Sequence, residues 1–229
     1  MSKRTRKTID LAIVGASGKM GQEIIALANE DKHFHVTAEV SDSKWKIKNN
    51  VDVVIEFSSP QGLSEAISWC RQNKKALVSG TTGLTEVQKK ELKAASKTIP
   101  VLYSANMSLG IAVMSAMLEQ LKAIEDWDFQ IEEAHHSQKK DKPSGTALLL
   151  EHKLSATLGR KLPPTHSLRG GGIPGIHQVW AMGPEEILVL QHTAFNRKVF
   201  ARGALRAARW LFDKGTPGLY DLTDLYKVT

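Results

Sequence analysis

One cysteine, Cys70, is all that this chain of 229 residues carries. A lone thiol excludes an intramolecular disulfide framework and makes a reducing cytoplasm the expected compartment. No run of about 18 apolar residues occurs, so no membrane-spanning helix is expected. The basic start, MSKRTRKTIDLAIVG, lacks the apolar stretch of a secretory signal. No cysteine–histidine spacing typical of zinc is present, and no metal is expected. Acidic residues are in deficit, 24 against 31 lysines and arginines, for a formal net charge of +7. Part of that excess is Lys3, Arg4, Arg6 and Lys7, which read as a solubilising arm, so nucleic acid is not expected as a partner. A spread positive balance favours the approach of small, multiply anionic ligands.

What is present is patterned. Strand and helix signals alternate through the first hundred residues: DLAIVG, a helix from Gly18 to Glu30, FHVTAEV, NVDVVIEFS, a helix from Gln61 to Gln72, KALVSG, a helix in TEVQKKELKAASK, and IPVLYSA. Nearly continuous apolar strands separated by helices predict a parallel sheet covered on both faces, an α/β Rossmann-like domain. After Tyr103 the pattern changes. LGIAVMSAMLEQLKAIEDW has helical periodicity, DFQIEEAHH reads as a strand, and SGTALLLEHKLSATLG as a helix. HSLRGGGIPGIHQVWAM, EEILVLQHTAF and a last helix from about Val199 to Phe212 follow. Strands beside strands predict an α+β domain with a mixed or antiparallel sheet. The expected boundaries are 1–105 for the first domain and 106–205 for the second, with the tail from about 206 to 229 packing back on the first.

VGASGKMG places Gly15, Gly18 and Gly21 between the first strand and the first helix. Gly15 permits a tight turn, Gly18 lets backbone approach a pyrophosphate, and Gly21 allows close packing of the helix. Amides and the positive dipole end at the helix start suit phosphate. The spacing is G-x-x-G-x-x-G rather than G-x-G-x-x-G, and an ordinary glycine-rich turn is the alternative. A phosphate-donor P-loop is excluded, because Met20 follows Lys19. The ribose contact aligns with Ser41, with Asp42 next to it and Lys44 and Lys46 beyond. A hydroxyl near lysines tolerates a 2′-phosphate, which leans to NADPH, although Asp42 would suit NADH. EFSSP, SGTTG with Gly80, Thr81 and Thr82, and YSANMSLG are further strand ends at which a ligand of an open α/β sheet would sit.

The densest chemistry lies in EEAHHSQKKDKPSGTA, Glu132 to Ala147. Ser144 is placed to cap the following helix, and Gly145 and Thr146 would present amides to a carboxylate. Lys139 supplies a charge or a proton, His135 titrates near neutrality as an acid or relay, and His136 is positioned to hydrogen-bond a ligand. A charged surface loop is the competing reading. Adjacent histidines without a third ligand fit a metal poorly.

The segment meets E-x-H-x-x-x-K-x-D-x-P-S-G-T-A at Glu133, His135, Lys139, Asp141, Pro143, Ser144, Gly145, Thr146 and Ala147. In this it resembles the 4-hydroxy-tetrahydrodipicolinate reductase (dihydrodipicolinate reductase) family, and the resemblance extends over nearly the whole chain. It is carried further by VGASGKMG, SGTTGL, SANMSLG, HSLRGGGIPGIHQV and HTAFNRKVFARGALRAARWL. The resemblance implies reduction of a cyclic 4-hydroxy imine dicarboxylate by NADPH or NADH on the diaminopimelate route to lysine. It implies His135 as acid/base and Lys139 as proton donor, with His136, Gly145, Thr146 and Arg197 on the substrate. It places Gly15, Ala16, Ser17, Gly18, Lys19, Met20, Gly80, Thr81, Thr82, Ser104, Ala105, Asn106 and Met107 along the cofactor, and implies a homotetramer joined through the second domain's sheets. The chain departs from the family pattern at Gln130, where an acid is common, at Ser137 and Gln138, and at Ser41 in place of the acidic ribose contact. Another two-domain nicotinamide oxidoreductase, such as an amino-acid dehydrogenase, and a non-catalytic dinucleotide sensor are the alternatives.

Overall fold

The computed structural model describes residues 8–41, 45, 47 and 50–225. Its elements in chain order begin with β1 (Ile9–Val14), α1 (Lys19–Asn29), β2 (Phe34–Val40), β3 (Val53–Glu56), α2 (Pro60–Asn73), β4 (Ala76–Ser79), α3 (Glu86–Ala95) and β5 (Pro100–Tyr103). They continue with α4 (Leu109–Met117), a 3₁₀ helix (Leu118–Ile124), β6 (Asp128–His135), α5 (Gly145–Leu158), β7 (His166–Arg169), β8 (Ile176–Met182) and β9 (Ile187–Thr193). The last are α6 (Lys198–Lys214), β10 (Gly218–Tyr220) and a short 3₁₀ turn (Leu222–Leu225). The chain divides into two compact units, residues 1–107 with 200–229, and residues 108–199.

In the first unit six parallel strands run in the order β10-β5-β4-β3-β1-β2. The Val-Val-Ile-Glu of β3 and Ala-Leu-Val-Ser of β4 are buried throughout, as strands covered on both faces must be. Helices α2 and α3 pack over them through Leu63, Ala66, Ile67, Leu92 and Ala95, beside Val54, Leu77 and Val101. Helix α2 starts at Pro60 with the Ser59 hydroxyl accepting from the Gly62 amide, as a capped N-terminus requires. Because β1 lies between β2 and β3, the strand order reverses there, and it is beyond the carboxyl ends of strands at such a switch point that open α/β sheets bind their ligands. The expected parallel α/β sheet is found, and β10 adds a sixth strand that the periodicity did not signal.

In the second unit the order is β7-β6-β8-β9, with β6–β7 parallel and β6–β8–β9 antiparallel, so the sheet is mixed. Strand alternation sends Phe129, Ile131, Val179 and Ala181 to one face, where α4 and α5 cover them with Ile111, Met114, Leu150 and Leu154. The other face carries Gln130, Gln178, Trp180 and Val189. The single helix expected over LGIAVMSAMLEQLKAIEDW does not persist: after Met117 it tightens into the 3₁₀ helix. Leu118 and Leu121 are buried there and Ile124 packs beside them. That spacing of three matches a helix of three residues per turn, whose side chains at i and i+3 eclipse.

Candidate active site

Strand β6 ends in Glu133, Ala134 and His135, and its alternation puts Glu133 and His135 on the face beneath the helices. Glu133 is 1% exposed, and its carboxylate is fully engaged. Arg169, opposite on β7, donates from Nη2 to Oε1 at 2.6 Å and from Nη1 to Oε2 at 2.8 Å. His135 Nδ1 lies 2.5 Å from Oε2, and the Ser144 amide donates to Oε1 at 3.2 Å. Burial would raise the Glu133 pKa, but the Arg169 guanidinium and His135 outweigh it and hold the carboxyl at about 2. An ionised carboxylate only accepts, so the His135 Nδ1 carries the proton and donates. Nε2 is then the nitrogen free to accept from a ligand. Gly175 sits beside that atom, where a Cβ would come within 3.2 Å. Burial lowers the His135 pKa against the pull of Glu133, so the ring is neutral at neutral pH.

The loop after β6 folds back on the same group. His136 donates its amide to the Ile173 carbonyl at 2.8 Å, and the Lys139 amide donates to the His136 carbonyl at 3.1 Å. The Lys139 ammonium pairs with Asp141 at 2.9 Å. Arg169 reaches the loop too, donating to the carbonyls of Asp141 at 2.5 Å and Lys139 at 3.3 Å. Ser144 caps α5, its Oγ accepting from the Ala147 amide at 3.2 Å, and meets His177 Nε2 at 3.1 Å. Gly145 opens α5 in the exposed state, with nothing within 4 Å of where a Cβ would stand, and Thr146 is buried. His177 stands edge-on to His135 with ring centroids 5.1 Å apart, and His192 lies beyond it at 6.4 Å. Burial, then the neighbouring histidines, push His177 down to about 3. The structure thus gathers His135, His136, Lys139 and the start of α5. Arg197 lies exposed in the turn between β9 and α6 and makes no hydrogen bond or ion pair with this group. The roles of Arg169, Gly175 and His177 escaped the sequence reading. HSLRGGGIPGIHQV contains all three, but nothing in it names their partners on other strands.

The strand ends of the first unit form a second polar region. Gly15 has φ of +82°, and a Cβ there would lie 2.3 Å from the Phe57 carbonyl oxygen, so the turns after β1 and β3 touch only because Gly15 has no side chain. At Gly21 a Cβ would lie 2.2 Å from the Gly15 carbonyl oxygen, so this glycine packs α1 against the turn itself. Ser17, Gly18 and Lys19 are exposed, and Ser41 is exposed just past β2. The N-cap of α1 is Gly18, which offers no side-chain cap, whereas Ser59, Ser108 and Ser144 cap α2, α4 and α5. The first amides of α1 are therefore left to an anion, which fits a dinucleotide pyrophosphate.

The Thr81 hydroxyl donates to Glu56 Oε1 at 2.7 Å. Glu56 is wholly buried and also accepts from the hydroxyls of Ser58 at 2.6 Å and Ser79 at 2.7 Å, which ties EFSSP to SGTTG. Thr82 is exposed, and Gly80 abuts the Phe57 ring, at 2.2 Å from where its Cβ would be. Ser104 donates its amide to the Ser79 carbonyl at 3.1 Å and its hydroxyl to the Asn106 carbonyl at 2.7 Å, placing the segment from Ser104 to Met107 at the same edge. Asp42, Lys44 and Lys46 lie outside the described residues.

The model of the dihydrodipicolinate reductase N-terminus matches residues 9–107, and that of the C-terminus matches residues 110–226. The chain belongs to the dihydrodipicolinate reductase family. Among curated relatives, the 4-hydroxy-tetrahydrodipicolinate reductase of Bdellovibrio bacteriovorus is 45% identical over 222 residues, covering 96% of each chain. That of Rickettsia bellii is 40% identical over 238 residues, covering 96% of this chain and 95% of its own. A dipicolinate-bound dihydrodipicolinate reductase from Paenisporosarcina sp. TG-14 has the same fold, with a TM-score of 0.78 at 22% identity over 95% of this chain and 99% of that one. Aspartate dehydrogenase from Thermotoga maritima is similar at a TM-score of 0.51 and 15% identity, over 89% of this chain and 96% of that one. Architecture alone therefore does not choose the substrate. Dihydrodipicolinate reductase membership, together with the Glu133–His135–Lys139 arrangement, does narrow it. Among the described residues no helix is long and apolar enough to cross a membrane.

Proposed function

We propose that this chain reduces 4-hydroxy-tetrahydrodipicolinate to tetrahydrodipicolinate with NADPH or NADH, on the diaminopimelate route to lysine. The observation that carries the reading is His135 oriented by the Glu133 carboxylate, with the Lys139–Asp141 pair on the loop that leads from it to the start of α5. Unit 1 is assigned to the dinucleotide, held at Gly15 to Met20, Ser41, Gly80 to Thr82 and Ser104 to Met107. Unit 2 is assigned to the diacid, with His136, Gly145, Thr146 and Arg197 as its contacts.

A reduced nicotinamide, when bound, supplies the hydride. The protein's own residues manage charge and protons. Two carboxylates call for amides and cations, which the N-terminus of α5, Lys139 and Arg197 provide. The 4-hydroxyl first leaves as water, giving the conjugated ring; hydride arrival then leaves enamine character, so the neighbouring carbon must take a proton, and Lys139 donates it. His135, its Nδ1–H donating to Glu133, accepts at Nε2 and either holds the ring or takes a proton from water and passes it to the lysine. The Ser41 hydroxyl at the aligned ribose position leans to NADPH, with NADH held through Asp42 as the alternative. The protein works in the cytoplasm as a homotetramer in which the open face of the second unit's sheet is covered by another copy. The test is a coupled assay in which the synthase generates the 4-hydroxy compound and nicotinamide absorbance is followed. Oxidation of NADPH or NADH that depends on both enzymes is expected. Unchanged absorbance with both coenzymes would remove the proposal.

A further inference from the structure

We infer that Arg169 is a positioning residue that sets His135 and the Lys139 loop as one unit, acting through Glu133. This rests on the reading that His135 and Lys139 carry the reaction. Arg169 has a side chain only 6% exposed, at the end of β7, and besides the adjacent Leu168 carbonyl four acceptors from two separate stretches of chain converge on it. Two are the oxygens of Glu133 on β6. The other two are the backbone carbonyls of Lys139 and Asp141, the residues that carry and pair the ammonium. A planar guanidinium can satisfy a carboxylate in bidentate fashion and still present further N–H groups, which a lysine at the same position cannot do. Glu133 in turn passes the arrangement on, because its two oxygens also receive His135 Nδ1 and the Ser144 amide at the start of α5. One buried arginine thus fixes the tautomer of the histidine, the height of the lysine loop and the first residue of the anion-binding helix.

The electrostatic consequence has a definite sign. The groups facing His135 are Glu133 on its own strand, Arg169 on β7, His177 on β8 with His192 behind it on β9, and Lys139 with Asp141 on the loop. Arg169 repels the imidazolium directly and also neutralises the carboxylate that would otherwise attract the proton. Its removal acts on both in the same direction, and the His135 pKa rises.

The experiment compares Arg169→Met and Arg169→Lys with the wild-type enzyme. Imidazole NMR titration reads the His135 pKa without substrate, steady-state kinetics reads kcat and KM, and fluorescence titration reads NADPH affinity. For Arg169→Met the expected result is an upward shift of the His135 pKa and a loss in kcat of at least tenfold, with NADPH Kd within twofold. Arg169→Lys should keep the His135 pKa nearer that of the wild type yet fail to restore kcat, because it cannot span both carboxylate oxygens and the loop carbonyls. An unmoved His135 titration, or a rate loss that only tracks the unfolded fraction, would overturn the inference. Failure of both variants to fold would overturn it too, by assigning Arg169 to stability alone. Should the wild-type chain not turn over the 4-hydroxy compound, the activity reading fails while the NMR titration still decides the role of Arg169.

Discussion

Lys139 and His135 are complementary in chemistry because one is a charged donor and the other an uncharged acceptor. Lys139 is a cation beside Asp141, and burial keeps His135 neutral against its contact with Glu133. A donor and an acceptor at neutral pH suit protonation of a ring carbon better than two donors would. Lys139→Ala should therefore lower kcat by about 10²–10⁴-fold, the usual worth of a positioned general acid. NADPH affinity, measured by fluorescence titration, should stay within twofold. Equal losses in both would remove Lys139 from proton delivery. The residues at the centre of this chemistry were legible as letters, because Glu133, His135, Lys139 and Ser144 to Thr146 fall within one short run. Arg169 was not, since its pairing with Glu133 depends on β7 lying parallel to β6 with His135 opposite Arg169. The Thr81 contact was hidden for a similar reason: its hydroxyl donates to the buried carboxylate of Glu56, which lies on β3.

Elements in this protein are placed by burial and then fastened by single polar contacts. Helix α5 buries Leu150, Leu154 and Leu158 on the sheet, and Ser144 fastens its first turn to His177 of β8. Periodicity located α5 and α2 to within a residue or two, because their apolar stripes end at capping serines. It overran α4, because spacings of three and four residues both read as helical while only the fold selects the 3₁₀ geometry of Leu118, Leu121 and Ile124. The buried link between α5 and β8 has a pH cost of known sign. His177 falls from its ordinary 6.5 to about 3 in the folded chain, so the unfolded chain binds a proton that the folded one refuses. Its contribution to stability is present above pH 6.5 and is lost as pH falls from there towards about 3. His177→Gln keeps a polar partner for Ser144 but cannot titrate. Denaturant unfolding across that window should show a shallower loss of stability in the variant, by up to about 1.4 kcal/mol per pH unit. Parallel pH profiles for the two proteins would place the acid sensitivity elsewhere.

At the scale of the whole molecule, the second unit's sheet has one face under helices and one that is open. The open face is not polar in the manner of a solvated sheet. Leu168 is 65% exposed, Ile187 60% and Val189 37%, and strand register puts them on the same side as Trp180 and Met182. Trp180 also spends its indole N–H on Glu132 at 3.1 Å, which holds the ring against the sheet instead of leaving it to rotate in water. Contiguous exposed apolar surface of this kind marks an interface in a soluble protein, and a sheet face meeting its own copy about a twofold axis makes a closed, isologous contact. Such a contact needs about 800 Å² per partner to be stable, within reach of a four-stranded face. Strand alternation within β8 turns His177, Val179 and Ala181 inward and Gln178, Trp180 and Met182 outward, so on the proposed reading one sheet serves the site on one side and assembly on the other. One such contact closes a pair, and in the proposed homotetramer two pairs associate, so light scattering on the wild-type protein should give the mass of four chains. Leu168→Glu with Ile187→Glu would bury carboxylates in that contact and should give a smaller species. These substitutions face away from Glu133 and His135, so NADPH binding should survive the change in mass. A wild-type chain that runs as a monomer, or a double variant of unchanged mass, would show that this face is not where the copies meet.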